Sequence, residues 1–166
     1  MTWILRGAEA LNSPLAGGKA RGLARMDQGG LPVPPWFVIS ASAFVESLTL
    51  DQRAAIDAAS DAASAQRVLD GVALHVTVRG AIDEAIRELC PAGEIVAVRS
   101  SASEEDGAVH SFAGQLESFL NVRPGSVAER VIDVWRSAFT ERMFAYQQQH
   151  GLRRCAESLH AVSIVG

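Results

Sequence analysis

EIVAVRSSASEEDGAVHSFAGQLESFLNV, from Glu94 to Val122, is the stretch that decides how this 166-residue chain is read. Ile95 to Val98 is an apolar run of strand type that delivers Arg99 to its end, followed by two hydroxyls, Ser100 and Ser101. An acidic cluster (Glu104, Glu105, Asp106) and a small-residue loop ending in Ala113 and Gly114 then lead into a second strand, Gln115 to Val122. A cation and several donors at a strand end, beside a pliable loop, suit a phosphate site, because a polyanion must be met at close range by charge and by N–H groups. An ordinary β-loop-β connection with a surface arginine accounts for the same residues equally well.

Upstream, Pro91-Ala92-Gly93 closes an amphipathic helix marked by His75, Val76, Arg79, Ile82, Ile86 and Leu89. The alanine-rich, polar segment from Asp51 to Asp70 reads as one or two surface helices, and Ser40 or Ser42 is placed to cap a helix from Ala43 to Leu50. Trp36 to Ile39, approached through three prolines, reads as a buried strand, and Trp3 to Leu5 as a short strand or extended lead-in. In AGGKARGLARMDQGG, Ala20, Leu23 and Met26 recur at helical spacing and Gly29-Gly30 supply a stop. Gly17, Gly18 and Lys19 therefore stand at a helix start, where backbone N–H groups and the positive end of the dipole point outward. Lys19 is the one lysine among 15 basic residues. The motif is not a Walker loop, which needs a longer glycine-flanked loop and a hydroxyl after the lysine. Taken alone, it is also met by a glycine-rich turn that merely starts a helix.

Downstream, Ser126 and Glu129 have capping-box spacing, and Val127, Val131, Val134, Trp135 and Ala138 lay an apolar stripe on a helix expected to run to about His150. Trp135, Phe139 and Phe144 are assigned to the core. His160 to Val165 reads as a strand that stops with the chain.

Hydrophobic content of 48%, a formal charge of −4 and a pI near 5.5 fit a globular α/β composition and leave no footprint for nucleic acid or an anionic membrane. Any anion site must be local. Cys90 and Cys155 form neither a disulfide framework nor a metal motif, so reduced thiols are expected. No apolar run is long enough to span a bilayer and the first residues lack the pattern of a signal peptide, so the expected location is the cytoplasm.

Three motifs stand in order: GGKARGL, GLPVPPWFVISASAF and VAVRSSASEEDGAVHSFAGQLESFLNV. Together they resemble the N-terminal nucleotide-binding region of the phosphoenolpyruvate synthase (pyruvate, water dikinase) and pyruvate phosphate dikinase family, which includes rifampin phosphotransferases. The likeness runs from about Ala16 to the end of the chain. It implies an α+β fold, the N-terminal part of an ATP-grasp-like domain with a small mixed sheet and helices. Residues 1–166 are then a single domain, one lobe of a two-lobed site and incomplete by itself.

The resemblance carries the family's phosphate-contacting groups to Lys19 and Arg99, as the catalytic pair, with Gly17, Gly18, Ser100 and Ser101 beside them. The loop that folds over the phosphates corresponds to Ser111, Phe112, Ala113 and Gly114. Positioning and charge neutralisation are most of what phosphoryl transfer requires, and a lysine with an arginine supplies both. The implied ligand is ATP with Mg2+, whose carboxylate ligands are expected outside this chain. Glu104, Glu105 and Asp106 are read as a cap or loop anchor rather than as metal ligands, and His110 as solvated. Ser158-Leu159-His160-Ala161 only echoes a carrier-histidine motif.

The implied partners are a C-terminal ATP-grasp lobe and a phosphohistidine domain, in cis or as a separate chain. The expected role is to cradle ATP phosphates for transfer to that histidine, the isolated chain being inactive. The alternatives are a non-catalytic regulatory or assembly module built on this lobe, and a lobe of a rifampin-type antibiotic phosphotransferase.

Overall fold

Trp36 to Ile39 is apolar at all four positions and buried at all four, which is the pattern of a strand covered on both faces. The computed structural model describes residues 2–101, 117–149 and 161–166. Its strands are β1 (Ile4–Leu5), β2 (Trp36–Ile39), β3 (Val96–Ser100), β4 (Ser118–Val122) and β5 (Val162–Val165). They form one five-stranded sheet in the order β1-β2-β5-β3-β4. Every pairing among the described strands is antiparallel, so the α+β class stands and the expected mixed sheet is corrected. The strand read as stopping with the chain lies in the middle, hydrogen-bonded to β2 on one side and β3 on the other.

The two faces of the sheet carry different helices. On one face lie α1 (Gly7–Asn12) and α2 (Gly17–Gln28), where Ala10, Ala16, Ala20 and Ala24 pack with Leu5, Trp36, Val38 and Ala161. Small residues let these helices approach the sheet closely. On the other face are α3 (Ala41–Ser47), α4 (Leu50–Ala58), α5 (Ala62–Leu69), α6 (Val76–Leu89), α7 (Val127–Ser137) and α8 (Glu141–Gln149). There Phe37, Ile39, Val98, Val162 and Ile164 meet Phe44, Ile82, Val131, Trp135 and Met143 in the larger core. Trp135 packs edge-on against Phe44 at 5.2 Å, and Phe139 and Phe144 are buried, as assigned. Among the described residues no helix is long and apolar enough to cross a membrane.

Local signals account for most boundaries. α2 stops where expected: Gly30 takes φ +73°, its N–H reaches Asp27 O at 3.0 Å, and Leu31 N–H reaches Met26 O at 3.0 Å, a Schellman arrangement. α6 starts at His75, whose Nδ1 accepts from the Thr77 N–H, but its buried stripe is Val78, Ile82, Ala85 and Ile86 while Val76 stays exposed. The helix expected over Ala43 to Leu50 instead ends at Ser47, and Thr49 begins α4. The Gln52 N–H donates to Thr49 Oγ1 at 3.1 Å and the Thr49 N–H donates to Gln52 Oε1 at 3.0 Å, a complete capping box. Ser40 occupies the cap position of α3 without a capping bond, its hydroxyl being shared with Ser42 at 2.7 Å.

The capping box expected at Ser126 does not form. Pro124–Ser126 already turns as a 3-10 helix and leaves Ser126 at φ −101°, ψ −3°, so the hydroxyl is not presented to the next turn. Thr49→Ala is accordingly expected to cost about 1 kcal/mol and Ser126→Ala less than about 0.5 kcal/mol in urea unfolding. Equal losses would contradict the two cap geometries. The single helix expected to reach His150 is broken between α7 and α8, where Gln66 Nε2 donates to Arg136 O at 3.1 Å and Phe139 O at 2.9 Å.

Candidate functional site

The first turn of α2 is docked on the end of β3, and Ser101 is the joint. Its hydroxyl donates to Ala16 O at 2.9 Å and accepts from the Ala20 N–H at 3.0 Å, so it caps α2 from a residue 81 positions away. The Ser101 N–H donates to Ala161 O at 2.7 Å, which ties the same joint to β5. Gly17 makes this approach possible. It sits at φ +77°, and a Cβ placed there would lie 1.3 Å from the Ser101 carbonyl oxygen.

That docking delivers Lys19 to the strand end. Its Nζ donates to Ser100 Oγ at 3.4 Å. Ser100 and Ser101 are themselves fully buried. Gly17, Gly18, Lys19, Ser100 and Ser101 are thus brought together by the fold, although about eighty residues of chain separate the two groups. α2 has no acidic residue in its first turn, so nothing there offsets the positive end of its dipole.

Arg99 stands one residue before the joint. In the ladder it faces Ser163 of β5 and Ser118 of β4. Val98 on β3 and Val162 and Ile164 on β5 point into the larger core, so alternation puts Arg99, Ser163 and Val38 on the α2 face. Arg99 is exposed and, among the described residues, its side chain has no hydrogen bond or ion pair. The contrast with the other face is informative. An open groove of about 350 Å3 there is lined by Arg130 and Arg136 among others. Both are already neutralised: Arg130 pairs with Asp133 at 2.8 Å, and Arg136 with Asp133 at 3.7 Å and Asp70 at 3.9 Å. An incoming anion gains more from Arg99 than from an arginine that must first leave a carboxylate.

The phosphate-covering loop expected at Ser111, Phe112, Ala113 and Gly114 lies outside the described residues. So do Glu104, Glu105, Asp106, His110, Cys155 and the Ser158 to His160 part of the histidine echo. Among the described residues no cluster of three or more His, Cys, Asp or Glu side chains is placed to hold a metal ion. Sequence reasoning passed over Ser118 and Ser163, the two hydroxyls flanking Arg99. For Ser163 there was a signal, a lone polar residue within the buried strand VSIV.

Residues 13–165 match the model of the pyruvate phosphate dikinase AMP/ATP-binding domain. A prodigiosin synthesizing transferase, PigC, of Serratia marcescens is 38% identical over 148 residues, covering 87% of this chain and 16% of the relative. The phosphoenolpyruvate synthase of Aeropyrum pernix is 34% identical over 156 residues, covering 81% of this chain and 19% of that one. A rifampicin phosphotransferase of Streptomyces sviceus is 30% identical over 158 residues, covering 83% and 18%. The chain therefore spans less than a fifth of the length of these three curated relatives.

Proposed function

Since the chain belongs to the pyruvate phosphate dikinase AMP/ATP-binding domain family, we propose that its joint between α2 and β3 is the phosphate end of an ATP site. The observation that carries this reading is the convergence of Lys19 and the start of α2 on the end of β3, one residue from an exposed Arg99 without a partner among the described residues. A triphosphate needs fixed positive charge more than it needs reactive groups, because phosphoryl transfer depends on positioning and on neutralising the transferring oxygens. Lys19 and Arg99 supply two full charges and the α2 dipole a partial one. Gly17 keeps the surface free of a side chain where the helix start meets the strand. The hydrogen bond that the Lys19 ammonium donates to Ser100 Oγ holds it at the strand end.

Magnesium accompanying the nucleotide would add charge neutralisation between phosphate oxygens. Its protein ligands are expected on another part of the enzyme. In the complete enzyme a phosphoryl group of ATP passes to a histidine on a further domain and from there to an acceptor, with AMP and phosphate released. The relatives bear the names of a phosphoenolpyruvate synthase, a rifampicin phosphotransferase and a prodigiosin synthesizing transferase. A segment similar to all three is a poor place to choose among acceptors, so acceptor choice belongs elsewhere in such a protein.

The test is a calorimetric titration of Mg-ATP into the chain at fixed salt, with Lys19→Ala and Arg99→Ala beside it. Each substitution is expected to weaken binding roughly tenfold, the worth of a charge-assisted phosphate contact, without lowering the unfolding temperature by more than a few degrees. Unchanged affinity in both variants would move the phosphate site away from this joint.

A further inference from the structure

Ser163 is the central residue of a cross-strand row on the α2 face, between Val38 on β2 and Arg99 on β3. Its neighbours on the same face of β5, Ala161 and Val165, pack with the alanines of α2. The residue is 1% exposed, and among the described residues its hydroxyl has no hydrogen-bond partner. A buried donor left unmade lowers stability, and valine or alanine would fill the same place in an apolar strand without that loss. An orphan hydroxyl opposite an arginine that is unpaired among the described residues, on the face that α2 covers, is explained by a group that arrives with the ligand.

We infer that Ser163 is a positioning residue of the phosphate site, donating its hydroxyl proton to the anion that Arg99 holds, directly or through one bound water. The inference rests on the ATP reading above and deepens it. Arg99 and Ser163 sit opposite one another across an antiparallel pair, where Cβ atoms are about 4.5–5.5 Å apart, so a single phosphate group is within reach of both. Arg99 brings the charge. Ser163 adds a short donor from the floor of the sheet, fixing where along the guanidinium the phosphate settles.

The test titrates Mg-ATP into wild type, Ser163→Ala, Ser163→Cys, Arg99→Ala and the Arg99→Ala/Ser163→Ala pair, with the unfolding temperature of each ligand-free protein. The expected result is roughly tenfold weaker binding for both Ser163 variants, with unfolding temperatures equal to or above wild type. Cysteine fills the space but donates weakly, so loss in both variants identifies the hydroxyl rather than a cavity. In the Arg99→Ala background, Ser163→Ala should cost less than about twofold, because the two groups act on one phosphate. Wild-type affinity in the Ser163 variants, with Arg99→Ala still weakened, overturns this inference and leaves the ATP site standing. A lower unfolding temperature in both Ser163 variants also overturns it, by giving the hydroxyl a structural partner. No binding by the wild type overturns the site reading and this inference with it, and full binding by Arg99→Ala overturns this inference.

Discussion

Gly17→Ala is expected to lower the unfolding temperature by about 10 °C, corresponding to roughly 3–4 kcal/mol in a domain of this size. Two costs combine. A non-glycine residue at φ +77° is strained by about 1–2 kcal/mol. The added Cβ would also sit 1.3 Å from the Ser101 carbonyl oxygen, a backbone atom that no rotamer change can clear. α2 or the end of β3 must move, and with it Lys19, so nucleotide affinity is expected to fall as well. Gly22→Ala is the control. It lies inside α2 with open space around its would-be Cβ, and there the exchange should raise stability by up to about 1 kcal/mol. Equal effects of the two substitutions would mean that α2 does not start against Ser101.

Ser101→Ala is expected to destabilise the fold by about 2 kcal/mol, and to do so at the site. The lost hydroxyl bonds both the Ala16 carbonyl and the Ala20 N–H, and all three residues are buried, so water cannot replace it. Ser101→Thr keeps the hydroxyl but adds a methyl at a position with no exposure, and overpacking should bring its own loss of about 1 kcal/mol or more. Urea unfolding reads both. A neutral Ser101→Ala would show that the helix start is satisfied by its own chain and that the long-range cap contributes nothing.

Much of the fold was readable because it is written in neighbouring residues. The α2 boundaries come from a glycine start and a Gly29-Gly30 stop, β2 from four apolar residues after prolines, and the core role of Trp135 from a helical stripe. These signals act over one or two turns of chain. The readings that needed correction depend on distant partners or on the exact entry of the chain. The break between α7 and α8 coincides with bonds from Gln66 on α5 to the Arg136 and Phe139 carbonyls, and nothing near Ala138 announces it. The Ser126 hydroxyl has the right spacing for a capping box, but the preceding 3-10 turn gives its backbone the wrong angles. The box at Thr49 and Gln52 was legible and was hidden by reading one helix across it.

The sequence by itself determined which residues belong to the candidate site as types and in what order: a glycine pair and the only lysine at a helix start, an arginine and two serines at a strand end. Residue type and local periodicity suffice for that, since charge, hydroxyl and helix start are properties of short stretches. Only the tertiary structure decided that these stretches meet, that Ser101 caps α2, and that β5 enters the sheet beside β3 to set Ser163 opposite Arg99. Antiparallel pairing and the docking of a helix on a sheet are chosen by the free energy of burying surfaces from segments far apart in the chain. No stretch carries that sum alone.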